Sequence, residues 1–449
     1  MQKLISIIFV LLMSATSVYA ESITKTLNSL GVNKSAVSVS IRDVKDGDVI
    51  YSLNDRTPRM PASTLKLVTS MASKDILGVD YKYKTSLYKS TNNDLYMKLS
   101  ADPLLGVSDL EKMIETAKAK NIVPKTFYLD DTVFDSVEWG DGWQWDDELN
   151  PLMPKFSPYN INGNLVKVDV VPTIQNSPAK IQLKPFYPMT IINNVISDAK
   201  GSNSVSIKRN EDIAPNMFSV DGAVSKSTTV VIPVLNPKIN FKLRLEDSIT
   251  KKKFEYFAPF KNAKLPDKNV YLVDETEHEL AEMLPMILKN SNNMVAETVF
   301  KTAGSVYSND RGTIENSLNM LNAYFEKIGL NIEDIKVVDG SGVSKNNIMT
   351  SKFMTDFLIY KASDEDFEDF KNMLPAPGEG TLKNRMLYFK DNLRAKTGTL
   401  SDASAIAGYI TTRRGKVFAF DIMINDAKTS NSDKKNIEEQ ILRNIYLNY

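Results

Sequence analysis

Ser63-Thr64-Leu65-Lys66 places a hydroxyl and an amine three positions apart. On a helix, residues i and i+3 share a face, so the Lys66 amine can reach the Ser63 hydroxyl. A serine hydroxyl is a poor nucleophile until a nearby base takes its proton. The pattern alone is weak, because Ser-x-x-Lys also begins at Ser22, Ser86, Ser177, Ser197, Ser248 and Ser432. Context singles out Ser63. Pro61 precedes it, and Leu65, Val68, Ala72 and Ile76 follow at helical spacing up to Gly78. This predicts a buried helix from about Ala62 to Leu77. Ser63 then sits in the first turn, among free N–H groups at the positive end of the helix dipole.

Two further groups are candidates. Ser291-Asn292-Asn293 lies between two helical stretches. Ser291 can relay a proton to a leaving amine, and the Asn293 amide can hold Lys66 and a substrate carbonyl together. Ser and Asn at such a junction also serve as plain helix caps. Lys396-Thr397-Gly398-Thr399 holds the only Lys-Thr-Gly of the chain, on a strand predicted over 394–400. Gly398 removes a side chain where a substrate can lie against the strand, and Lys396 with the Thr397 and Thr399 hydroxyls can bind a carboxylate.

The elements that must position these residues lie at both ends of the chain. Residues 36–52 read as a β-hairpin, with Val37, Val39 and Ile41 alternating before an Asp46-Gly47-Asp48 turn. Residues 404–412 and 416–425 form a second hairpin around Arg413-Arg414-Gly415, and a helix over about 433–447 closes the chain. Between them, residues 85–266 carry short β-like pieces such as 165–170 and 228–234, with one helix over about 108–120. Helical texture is read from Glu275, with further helices over about 293–301 and 313–328. If the terminal strands share one antiparallel sheet, the middle is an insertion. The expected plan is therefore a leader over 1–20, a first segment of the principal domain over 21–84, two inserted, mainly β subdomains over 85–266, and a second segment over 267–449.

Composition narrows the chemistry. Lys+Arg and Asp+Glu both number 55 among 449 residues, which gives no support for a nucleic-acid binder. Cysteine is absent, so a disulfide, a thiolate metal site and a thiol nucleophile are excluded. The one histidine, His278, sits among Glu275, Glu277 and Glu279 at an expected helix start and reads as a solvated face. Proton transfer then falls to Lys, Asp, Glu or Tyr. Lys3, an apolar run from Leu4 to Met13 and the ending Val18-Tyr19-Ala20 read as a secretory signal peptide cleaved after Ala20. The run is too short to span a membrane, and no later stretch reaches spanning length.

Taken in order, Ser-x-x-Lys, Ser-x-Asn and Lys-Thr-Gly resemble the motif set of penicillin-binding proteins and serine β-lactamases. The separation of 228 positions from Ser63 to Ser291 exceeds the interval in class A β-lactamases. The intervening stretch resembles the long insertion of the low-molecular-mass class C penicillin-binding proteins, the D-alanyl-D-alanine carboxypeptidases and endopeptidases of peptidase family S13. Ser100-Ala101-Asp102-Pro103, Trp143-Gln144-Trp145-Asp146-Asp147, Asp339-Gly340-Ser341-Gly342, Gly380-Thr381-Leu382 and Ala407-Gly408-Tyr409 resemble further family segments, with Ala101 where the family has Gly. The resemblance implies an α+β fold of the serine β-lactamase/transpeptidase type, interrupted by inserted subdomains. It implies a Ser63 acyl-enzyme, peptidoglycan peptides ending in D-Ala-D-Ala and β-lactams as partners, no cofactor, and a periplasmic or secreted location. Asp146 or Asp147 is expected to receive the amino end of a diaminopimelate-type side chain. A β-lactamase or related serine esterase and a non-catalytic wall-binding protein are the competing readings.

Overall fold

The structure, a computed structural model, describes residues 23–449; the leader expected over 1–20 lies outside the described residues. Among those residues no helix is long and apolar enough to cross a membrane. The terminal segments do share one sheet. Its strands run in the order Leu393–Thr399, Ala403–Thr411, Val417–Asn425, Val37–Asp43, Val49–Leu53, all antiparallel. Strand alternation sends successive side chains to opposite faces. Val37, Val39, Ile41, Phe420 and Ile422 therefore pack under the C-terminal helix Asn431–Asn448 and a helix at 23–29. Ala407, Tyr409 and Ala419 face the helical layer.

That layer is built on the helix Leu65–Leu77, whose first nine residues are all buried. It packs against Leu280–Leu288, Asn293–Ser308 and Ile314–Lys327. The predicted helix of the Ser63 region begins as a short 3-10 turn, Ala62–Thr64, that runs into Leu65–Leu77.

The middle of the chain folds into two further bodies of structure. One is a five-stranded sheet, ordered Lys261–Asn262, Phe127–Asp130, Leu95–Lys98, Lys82–Ser90, Val270–Glu279. Its inner face, with Leu87, Leu95, Met97 and Phe127, packs on the helices Val107–Ala119 and Pro237–Lys252. The other pairs two three-stranded sheets over a Val-rich core that includes Val166, Val168, Val195 and Val220.

Three expectations change. The strand Lys82–Ser90 pairs along its length with Val270–Glu279, so the expected boundaries at 84/85 and 266/267 cut through or fall just short of strands of one sheet. The 16-residue helix Pro237–Lys252 was hidden in a stretch read as mainly β; Asn236 caps it through Ile239 N and Pro237 starts it. Residues 275–279 are strand, with the helix beginning at Leu280. The run Glu275-Thr276-Glu277-His278-Glu279 has period two: Glu275 and Glu277 face outward to Lys84, and Glu277 also to Lys82. His278 turns the other way. Its Nδ1 lies 2.6 Å from the buried carboxylate of Asp102, so it is a paired, half-buried group and not a solvated face.

Asp421, in the middle of the principal sheet, is fully buried and neither carboxyl oxygen has a hydrogen-bond partner. Burial pushes its carboxyl well above the usual carboxylate range, and the neighbouring Ser351 hydroxyl offsets part of that push. The folded state thus keeps a proton that the unfolded chain releases above pH 3.8, and stability falls as pH rises past that value. Asp421→Asn removes this linkage. Thermal unfolding should show the variant matched to the parent near pH 3 and increasingly more stable than it as pH rises to 8; an unchanged difference across pH would show that Asp421 is already ionised in the fold.

Candidate active site

The three sequence motifs meet at one cleft of about 520 Å³. Ser63, Ser291, Asn293, Thr397 and Thr399 line it. Lys66 and Lys396 lie beneath, each with no exposed surface. The edge strand Leu393–Thr399 passes over the Ala62–Thr64 turn. At Gly398 a Cβ would stand 2.8 Å from Ser63 N and 2.9 Å from Pro61 O, so a larger residue would force the strand away from Ser63. Two non-glycine residues beside the cleft adopt left-handed backbone, Ala62 (φ 47°) and Ser291 (φ 59°). Such strain costs on the order of 1–3 kcal/mol per residue and persists where the surroundings over-determine it.

The lysines organise two clusters. Lys66 Nζ lies 3.0 Å from Ser63 Oγ, 2.6 Å from Asn293 Oδ1 and 2.5 Å from the Ser341 carbonyl. Lys396 Nζ donates to Ser291 Oγ at 2.8 Å and to the Thr397 carbonyl at 2.7 Å. Burial depresses Lys66 to about 7, against the opposing pull of the Asp339 and Glu297 carboxylates. Lys396 is driven well down by burial, and secondarily by the Lys66 charge. Desolvation therefore dominates at both amines, and the influence of one lysine on the other falls chiefly on Lys396.

The geometry of Lys66 suits a base. A neutral amine has two N–H groups and one lone pair. The Asn293 Oδ1 and Ser341 carbonyl are both acceptors, so they take the two N–H groups and leave the lone pair directed at Ser63 Oγ.

The acidic pair divides. Asp147 lines the cleft, whereas Asp146 lines a separate cavity of about 580 Å³ with Lys208 and Arg209. The cause is the 3-10 turn Trp145–Asp147, which sends adjacent side chains in different directions. Of the two aspartates, only Asp147 has the placement expected of a substrate contact.

Several residues at the site were not singled out as candidates from sequence. Thr381 joins Thr397 through a hydroxyl contact of 2.8 Å, and Lys345 lines the cleft while paired with Asp402 at 2.9 Å. Asp339 and Ser341 form a buried turn behind Lys66. The Asp339 carboxylate accepts from Gly342 N, Ser344 N, Asn347 Nδ2 and Trp143 Nε1 at 2.7–2.9 Å. Thr381, Asp339 and Ser341 lie inside family-like segments, which was their only signal. Glu297 had none beyond its place one turn after Asn293.

Residues 19–445 match the D-Ala-D-Ala carboxypeptidase 3 (S13) family. The chain is 28% identical to a D-alanyl-D-alanine carboxypeptidase of Actinomadura sp. (strain R39), covering 90% of this chain and 80% of that protein. It is 23% identical to the D-alanyl-D-alanine carboxypeptidase DacB of Haemophilus influenzae, covering 92% and 90%. In fold it is similar to the crystal structure of penicillin-binding protein 4 from Haemophilus influenzae, with a TM-score of 0.80, 23% identity and coverage of 92% of this chain and 98% of that one. A structure of the same protein complexed with a β-lactam aligns with a TM-score of 0.76 at 20% identity, covering 93% and 100%. A match that runs from the first described strand to the last helix, across all three motifs, identifies the chain as a member of the D-Ala-D-Ala carboxypeptidase 3 (S13) family.

Proposed function

We propose that this chain is a serine D-alanyl-D-alanine carboxypeptidase, with endopeptidase action by the same chemistry, and that Ser63 is its nucleophile. The observation that carries the assignment of roles is the contact of Lys66 Nζ with Ser63 Oγ at 3.0 Å, with both other faces of the amine occupied by acceptors. Neutral Lys66 takes the Ser63 proton as Oγ attacks the carbonyl between the two D-alanines. The backbone N–H groups of Ser63 and Thr399 receive the oxyanion; one such donor contributes about 3 kcal/mol in the transition state. Ser291 relays to the departing amine the proton that Lys66 took from Ser63, and the C–N bond breaks. Water then attacks the Ser63 ester, releasing the shortened peptide and returning the proton to the enzyme.

Lys396 and the Thr397 and Thr399 hydroxyls hold the terminal carboxylate. A bound carboxylate beside Lys396 favours its charged form, against the burial that depresses it in the free enzyme. Asp147 faces the cleft where a side-chain amine of a stem peptide would lie. The substrates are peptidoglycan stem peptides ending in D-Ala-D-Ala, which lie outside the cytoplasmic membrane, in keeping with the leader read at 1–20. Penicillins acylate Ser63 because their lactam and carboxylate mimic the same dipeptide.

Three measurements check these roles. Intact mass after benzylpenicillin treatment should show one persistent adduct on the parent and none on a folded Ser63→Ala variant; an adduct on the variant would remove Ser63 from the nucleophile's place. Because a base must be neutral and burial sets Lys66 to about 7, the acylation rate should fall about tenfold per pH unit below that value, and a flat profile from pH 5 to 8 would rule out a titrating amine. Asp147→Asn should raise KM on the order of tenfold for peptides with a free side-chain amine while leaving penicillin acylation within about twofold. Equal loss on both would place Asp147 in the fold and not in recognition.

A further inference from the structure

The helix Asn293–Ser308 begins with Asn293, which holds Lys66 directly. One turn later on the same helix stands Glu297, fully buried. Its two carboxylate oxygens do different jobs: Oε2 accepts from Gly340 N at 3.0 Å and Oε1 from Ser341 N at 2.8 Å. Both peptide units belong to the 339–342 turn whose Ser341 carbonyl lies 2.5 Å from Lys66 Nζ. The turn is tight enough that a Cβ at Gly342 (φ 75°) would stand 2.0 Å from the Ala62 carbonyl, next to the nucleophile. Burying a carboxylate costs several kcal/mol unless it is well bonded, and a carboxylate that accepts two backbone N–H groups on separate oxygens is suited to the ionised form.

We propose that Glu297 is a positioning residue for the base. From one helix, Asn293 supplies one acceptor to Lys66, and Glu297 clamps the backbone that supplies the other. The amine is thereby fixed with its remaining valence toward Ser63 Oγ. This inference rests on the reading of Lys66 as the base for Ser63.

Glu297 also adds charge. Lys66 faces Glu297 and Asp339 on the acidic side, and Lys396 stands near on the basic side. The Glu297 carboxylate favours protonated Lys66; burial and the Asp339 charge raise its own pKa to about 7, against the two backbone N–H groups, so this attraction acts from about neutral pH upward. Replacing it by a neutral group removes an attraction for the Lys66 proton, so the amine becomes neutral at lower pH. A loss of packing alone would not move that limb.

The test compares Glu297→Gln and Glu297→Asp with the parent, using benzylpenicillin and reading the acylation rate constant and the preceding dissociation constant separately from pH 5 to 9. Both variants should acylate about tenfold or more slowly at their plateau, with the dissociation constant within about twofold of the parent. Only Glu297→Gln should move the acid limb, and it should move it to lower pH. Aspartate keeps the charge but is one methylene too short to clamp both N–H groups. If Glu297→Gln fails to fold, Glu297→Asp carries the test through its rate loss at unchanged dissociation constant. A folded variant with parental rate and limb overturns the proposal. Absence of a Ser63 adduct on the parent would instead overturn the reading of the site itself, so the two failures are told apart.

Discussion

Two fully buried lysines set the terms of this structure. An ammonium in a low-dielectric interior is costly unless it is paired or becomes neutral. No described contact puts a carboxylate directly on either amine. Lys66 meets a hydroxyl, an amide oxygen and a peptide carbonyl, and Lys396 a hydroxyl and a peptide carbonyl. The environment therefore tolerates each amine more easily without its proton, and that property is what a serine nucleophile requires of its neighbour. The carboxylates Glu297 and Asp339 stand one layer back, bonded to backbone N–H groups. There they temper the desolvation of Lys66 without quenching it as a base.

The rest of the architecture supplies the acceptors at those distances. The principal sheet brings its edge strand over Ser63, and Gly398 permits the approach. Ala62 and Ser291 hold left-handed backbone beside the cleft. These conformations are stabilised by the packed helices and sheet around them, because nothing local to an alanine or a serine favours positive φ. The strained backbone lies next to the Ser63 hydroxyl and at Ser291 itself, and so fixes the direction of both hydroxyls.

What the sequence made legible was local. The Ser63 helix announced itself through apolar spacing, the Lys-Thr-Gly motif fell on a strand predicted over 394–400, and the terminal sheet showed through two hairpins at opposite ends. The helix Pro237–Lys252 escaped because its polar residues dilute the apolar stripe, leaving Phe241, Leu245 and Ile249 as a narrow buried line. The strand Val270–Glu279 escaped because its end is rich in Glu, which reads as helix former in isolation; the cross-strand lysines that make the Glu residues fit lie some 190 positions earlier. The same reason explains Glu297 and Asp339. Both Glu297 partners and two of the Asp339 partners are peptide groups, and a backbone N–H leaves no mark in a sequence.

The inserted segments are bound into the site and are not an appendage to it. Asn293 uses both ends of its amide: Oδ1 accepts from Lys66, and Nδ2 donates to the Leu152 carbonyl at 2.8 Å. Trp143 donates to Asp339 behind Lys66, and Lys301, two turns along the helix from Asn293, is buried against Asp135 and the Val137 carbonyl. The segment from 135 to 153 is thus tied at three points to the helix and the turn that hold Lys66. Between those ties it carries Asp147 to the cleft wall. A shift of this segment would be felt at the Asn293 amide, and through it at the amine. The placement of Asp147 at the cleft and the holding of Lys66 consequently draw on one shared set of hydrogen bonds.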